Sequence, residues 1–90
     1  MLIPVRSSVF KRDIRKLQKQ SKDMEKLKVV MTELINENQL DQKYLDHPLR
    51  GNLKGFRDCY IEPDWLLIYK IEKPEIYFYR TGSHSEIFRI

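Results

Sequence analysis

Apolar and polar positions change their period twice along these 90 residues. Leu2-Ile3-Pro4-Val5 is a short apolar run that reads as a strand. Pro4, which cannot donate to a ladder, predicts a place near a sheet edge or strand end. Helical spacing follows, with Phe10, Ile14 and Leu17 at i, i+4 and i+7 and lysines and arginines around them. Ser7 or Ser8 can cap this helix, because a side-chain oxygen there accepts from an otherwise unpaired N–H of the first turn. Ser21-Lys22-Asp23 breaks the pattern, and Asp23 is placed to cap a second helix with a wider stripe: Met24, Leu27, Val30, Met31, Leu34 and Ile35. Two amphipathic helices with so short a link predict a helical hairpin. From Asn36 to Asn52 the periodicity fails, and Asn, Asp, Pro48 and Gly51 mark an irregular loop. Three strands are expected next, Leu53 to Ile61, Trp65 to Glu72 and Ile76 to Thr81. Glu62-Pro63-Asp64 and Glu72-Lys73-Pro74-Glu75 are tight turns, and turns so short join antiparallel neighbours. Gly82 ends the last strand, and Ser83 to Ile90 reads as a short tail.

Strand, helical hairpin, then a three-stranded antiparallel meander is an α+β arrangement, with the hairpin packed on one sheet face. Residues 1–90 make a single domain, since no second core is possible at this length. So short a chain is expected to leave the other sheet face uncovered and available to a ligand. Hydrophobic residues at 41% and charged residues at 33% exclude a disordered chain and a membrane-spanning one. The longest apolar stretch, Trp65 to Tyr69, is far too short for a bilayer, and Met1 to Arg6 lacks the apolar run of a signal peptide. The single cysteine, Cys59, allows no internal disulfide and fits a reducing compartment, so a cytoplasmic location is expected.

Charge adds a direction. Residues 1–40 hold nine Lys/Arg against five Asp/Glu, whereas residues 41–90 hold eight of each. The excess sits on Lys11, Arg12, Arg15, Lys16, Lys19 and Lys22. Such a stripe suits a phosphate backbone, without sequence preference, and equally an acidic protein or plain solvent.

The chemistry-bearing residues are few. His47 lies in the irregular loop and His84 after the last strand, and histidine titrates nearest neutral pH. Asp58 and Tyr60, two apart on an expected strand, share a face. Arg80, late in the third strand, offers a fixed cation for a phosphate. Ribonucleolytic cleavage needs this inventory: the substrate's 2'-hydroxyl is the nucleophile, so the protein has only to accept its proton, stabilise the phosphorane and protonate the leaving 5'-oxygen. Cys59 has the opposite strand parity and reads as a buried structural thiol. No ligand spacing points to a metal, no Gly-rich phosphate loop is present, and no cofactor is expected. Trp65 and Phe88 are candidates for stacking on bases, with core packing the rival role for Trp65.

These residues carry a resemblance. Tyr44-Leu45-Asp46-His47-Pro48-Leu49-Arg50-Gly51, followed by Leu53-Lys54-Gly55-Phe56-Arg57-Asp58, resembles the central loop and strand of the YafQ branch of RelE-family toxins. Glu62-Pro63-Asp64-Trp65-Leu66-Leu67-Ile68-Tyr69-Lys70 is similar to its next turn and strand, and Arg80-Thr81-Gly82-Ser83-His84-Ser85-Glu86-Ile87-Phe88 to its C-terminal motif. The resemblance covers essentially the whole chain. It implies a microbial-ribonuclease-like fold and ribosome-dependent, metal-independent mRNA cleavage. It also implies a cognate antitoxin, with a joint complex that binds operator DNA through the antitoxin. By that resemblance His47, Asp64 and His84 handle protons, Asp58 lies in the same site, and Arg80 holds the phosphate; Asp58 and Tyr60 are expected to position the proton-handling groups. By the same resemblance Phe88 lies near the substrate base, and Arg50 and Lys54 are expected to add contacts to the RNA backbone. Tyr60 departs from the branch, whose residue there is usually histidine. The rival expectations are a toxin of the same fold that inhibits gyrase without cutting RNA, and a non-catalytic RNA- or protein-binding module.

Overall fold

The computed structural model describes residues 1–88. Strand β1 (Ile3–Arg6) leads into helices α1 (Ser8–Lys19) and α2 (Met24–Ile35), then a 3-10 turn at Gln42–Tyr44 and a two-residue strand β2 (His47–Pro48). A second 3-10 turn at Gly51–Leu53 precedes β3 (Arg57–Glu62), β4 (Trp65–Glu72), β5 (Glu75–Gly82) and a short helix α3 (His84–Phe88). The five strands form one sheet in the order β1-β5-β4-β3-β2. β1 runs parallel to β5 at one edge, Pro4 included, and the remaining pairs are antiparallel.

The helix ends form where the sequence places caps. Ser7 Oγ accepts from Phe10 N at 2.9 Å and donates to the Tyr79 carbonyl at 2.8 Å, so the residue that starts α1 also ties it to β5. Asp23 Oδ1 accepts from Glu25 N at 3.1 Å at the start of α2. The stripes then pack as their spacing predicts. Phe10 and Leu17 of α1 and Leu27, Val30 and Leu34 of α2 are buried with Cys59, Ile61, Trp65, Leu67, Tyr69, Ile76 and Phe78 in one core. The rings of Phe10 and Phe78 are 5.8 Å apart at its centre.

Four expectations need correction. His47–Pro48 is a strand paired with β3, where a loop was expected, because two residues are too few to show an alternation. The first meander strand begins at Arg57 rather than Leu53: Gly51–Leu53 winds into a 3-10 turn and Gly55, at φ +94°, turns the chain into β3. The tail contains α3. Its signal is Ser83-His84-Ser85-Glu86, a reciprocal cap in which Glu86 N donates to Ser83 Oγ at 3.2 Å and Ser83 N to Glu86 Oε1 at 3.4 Å. Nor is the second sheet face bare. Leu66 and Ile68, on the side of β4 away from the helices, are fully buried, flanked across the ladder by Tyr60, Asp58 and Arg80.

Candidate active site

Ladder register assembles the site. His47 pairs with Asp58, Asp58 with Ile68, and Ile68 with Arg80, so residues from four strands form one row across the sheet. Directly opposed residues share a face with Cβ atoms about 4.5–5.5 Å apart. The next row is Tyr60, Leu66 and Gly82. Hence β2, though two residues long, brings His47 out of the loop and sets it against Asp58.

Asp58 is 3% exposed, and its Oδ1 lies 2.9 Å from His47 Nε2. Oδ1 has no hydrogen-bond partner among the described residues, so the contact is one of proximity that becomes an ion pair when His47 is protonated. His47 Nδ1 lies 2.6 Å from the Leu45 carbonyl. A carbonyl only accepts, so Nδ1 carries the proton of that bond, and Nε2 is the nitrogen left to take up a further one. Burial raises the Asp58 pKa, an effect opposed by the positive charge available on His47 and His84. Tyr60 lies beside Asp58 and His47, its ring stacked with that of His47 at 6.5 Å and 23°.

Gly82, at φ +151°, lets the chain leave β5 and enter α3, which starts with His84. Asp64, in the β3–β4 turn, accepts from His84 N at 3.4 Å and thereby steadies the start of α3, while the His84 ring lies 4.9 Å from that of Phe88. Arg80 is anchored on α1. Its Nε donates to Asp13 Oδ2 at 2.8 Å and its Nη2 to Asp13 Oδ1 at 3.3 Å, and Thr81 N reaches the same Oδ2 at 3.1 Å. Asp13 was not singled out from the sequence. Its signal is the one carboxylate inside the basic run Lys11-Arg12-Asp13-Ile14-Arg15-Lys16. Arg50 and Lys54 are exposed between β2 and β3.

Trp65 is a correction. It is 1% exposed, faces the helices, and its Nε1 donates to the buried Thr81 Oγ1 at 2.9 Å, so no base can stack on it. Its position at the start of the central strand sends it into the core. Cys59 faces the same core, and burial pushes its thiol pKa up to about 12, which leaves no thiolate for nucleophilic attack. Among the described residues no group of three or more His, Cys, Asp or Glu side chains is arranged to hold a metal ion, and no helix is long and apolar enough to cross a membrane.

A row of histidine, buried carboxylate and arginine, with a second histidine at the sheet end, is suited to moving protons around a phosphate. Comparison with known proteins places the chain in a family. An mRNA interferase toxin YafQ from Escherichia coli strain K12 is 48% identical over 83 residues, covering 91% of this chain and 90% of its own. The crystal structure of the E. coli DinJ-YafQ complex contains a chain that superposes with a TM-score of 0.92 at 45% identity, over 98% of this chain and 99% of that one. A metal-bound toxin from Helicobacter pylori superposes equally well, with a TM-score of 0.92 at 43% identity over 98% and 100% of the two chains. Residues 3–89 match the family described as bacterial toxin of type II toxin-antitoxin system, YafQ. The chain therefore belongs to the YafQ family of type II toxin–antitoxin toxins.

Proposed function

We propose that this toxin is an endoribonuclease that cuts messenger RNA on the ribosome, and that a cognate antitoxin restrains it. The observation that carries the reading is the buried Asp58 carboxylate held 2.9 Å from His47 Nε2, in register with Arg80. A buried, raised-pKa carboxyl beside an imidazole is costly to keep and is suited to proton transfer near neutral pH. In the reaction the 2'-hydroxyl oxygen attacks the adjacent phosphorus and its proton passes to His47 Nε2, where the nearby Asp58 carboxylate offsets the charge that forms on the ring. The bond to the 5'-oxygen breaks, and His84 returns a proton to that oxygen. Products are a 2',3'-cyclic phosphate and a 5'-hydroxyl. Arg80, oriented by Asp13, stabilises the phosphorane, and Tyr60 donates to the phosphate or the 2'-hydroxyl. Asp64 was expected from the sequence to handle protons; its contact with His84 N favours a role in holding α3. Arg50 and Lys54 add backbone contacts, and Phe88, against His84, borders the leaving side.

The steps route no charge through a metal ion. The mRNA interferase relative supports RNA as substrate, and the DinJ-YafQ complex supports an antitoxin partner. Operator DNA would then be met through that antitoxin. The deciding experiment supplies the purified toxin with translating ribosomes and one defined message, and maps the new ends. Cleavage with 5'-hydroxyl products that persists under selective zinc chelation is expected. Intact message together with inhibited gyrase would replace this reading with the gyrase-directed one.

A further inference from the structure

A second feature of the same sheet face has no part in the proton transfers. The rings of Phe56 and Tyr79 lie 5.0 Å apart with a 40° tilt, and the Lys70 ammonium stands 5.3 Å from the centre of the Phe56 ring. Lys70 also meets Glu72 Oε2 at 3.4 Å. Neither ring belongs to the buried core, and Tyr79 is 36% exposed. They border an apolar recess of about 250 Å³ that Val5, Ser7 and Tyr77 also line.

Register ties the pair to the site. Pairing passes from Ile68↔Arg80 directly to Tyr69↔Phe78, so Tyr79 is the extra residue of a β-bulge. The bulge puts Tyr79 and Arg80, consecutive in the chain, on one face. Phe56 precedes Asp58 by two residues and Lys70 follows Ile68 by two, which sets the rings about 6–7 Å along the strands from the His47–Asp58–Ile68–Arg80 row. On the other side of that row, beyond Tyr60 and Gly82, the His84 and Phe88 rings form a second pair 4.9 Å apart. An aromatic pair thus flanks the reacting row on each side.

We propose that Phe56 and Tyr79, with Lys70 at their edge, form a nucleotide subsite that stacks one unpaired base next to the phosphate being cut. The proposal rests on the endoribonuclease reading above. Single-stranded RNA is held by stacking its splayed bases on aromatic rings while cations track its backbone, which is the combination found here. Continuity with the reacting row, and a lysine at the ring edge, favour a base and its phosphate over a docked protein segment.

The test is single-turnover cleavage on ribosomes, with the toxin concentration varied. It compares wild type, Tyr79→Ala and Tyr79→Phe on an ordinary message and on messages with an abasic ribonucleotide at either position flanking the cut. Loss of one stacked base is worth roughly 5- to 150-fold. Tyr79→Ala should lose that much in apparent affinity or rate, and Tyr79→Phe should recover most of it. At one flanking position the abasic message should cost wild type a similar factor and cost Tyr79→Ala nothing further, since the stack is already gone. Cleavage by wild type with no abasic penalty at either position overturns the subsite and leaves the endoribonuclease reading standing, whatever the fate of the variants. Absence of any cleavage by wild type overturns both. Weakened antitoxin binding by Tyr79→Ala, with cleavage unchanged, would make the surface a protein-docking one and overturn the subsite.

Discussion

Asp58 and His47 face each other across the β2–β3 pair, with carboxylate Oδ1 and imidazole Nε2 2.9 Å apart and the carboxylate almost wholly out of solvent. The pair places an ionisable group where burial opposes its charge, and the consequences of that placement can be measured in stability as well as in turnover.

Asp58→Asn should make the protein more stable at neutral pH and slow RNA cleavage, the trade expected where a site is kept at a cost in stability. The folded-state pKa of Asp58 is raised, chiefly by burial. The folded form then holds the carboxyl proton more tightly than the unfolded form. The resulting stabilisation is complete below the unfolded pKa and is lost as pH rises through the folded pKa. Melting temperatures of both proteins should therefore agree at the acid end and separate as pH climbs through that window, with the asparagine variant higher. A lower melting temperature for Asp58→Asn at pH 7.5 would show that the charge contact with His47 outweighs burial.

His84→Ala should be non-toxic yet still bind ribosomes and antitoxin. Losing one general acid or base lowers a rate by roughly 100- to 10,000-fold. His84 is exposed at the end of the sheet, its ring beside that of Phe88, so the fold should tolerate the change. Cleavage at the wild-type rate would remove His84 from the mechanism.

Tyr60→Phe keeps the ring that stacks on His47 and removes one hydroxyl. A lost hydrogen bond to a charged group, if formed in the transition state, costs roughly 10- to 150-fold in rate. Tyr60→His should remain active, because an imidazole can donate from the same place. Single-turnover cleavage by both variants separates the roles. An unchanged rate for Tyr60→Phe would make Tyr60 a packing residue, and a loss of many thousandfold would make it a proton-transfer group.

Asp13→Ala should slow cleavage by releasing the guanidinium of Arg80, and should also destabilise the fold by about 1.5–3 kcal/mol, the worth of a hydrogen bond to a charged group. Urea unfolding reads the second effect. Asp13→Glu, which keeps the charge on a longer arm, should restore part of the rate, and equal rates for all three proteins would detach Asp13 from Arg80 function.

Cys59 should resist alkylation in the native protein and react at once in denaturant, because burial both shields the thiol and holds its pKa near 12. Counting modified thiols by mass with and without urea tests this. Rapid native modification would mean that β3 opens readily from the core.

The order of elements was legible in the chain because each long segment carries its own period. Phe10-Ile14-Leu17 marks α1, the apolar run from Trp65 marks the central strand, and Ser7 and Asp23 sit at helix starts. His47 and His84 could be named in advance as the two histidines of the chain, Asp58 and Tyr60 by their shared strand parity and Arg80 by its place late in a strand, whereas Asp64 was singled out from the other acids only by the resemblance. Which of them meet was decided only by tertiary structure. Strand register is a long-range property: it puts His47 opposite Asp58 through a two-residue strand too short to show any alternation. A bulge at Tyr79 shifts Arg80 into the same row, and no local pattern announces a bulge. Trp65 could serve equally as core or as a stacking surface until the sheet's two faces were assigned, and burial beneath the helices chose the core. Asp13 gained its partner from the packing of α1 along β5, a contact across 67 residues that local spacing does not encode.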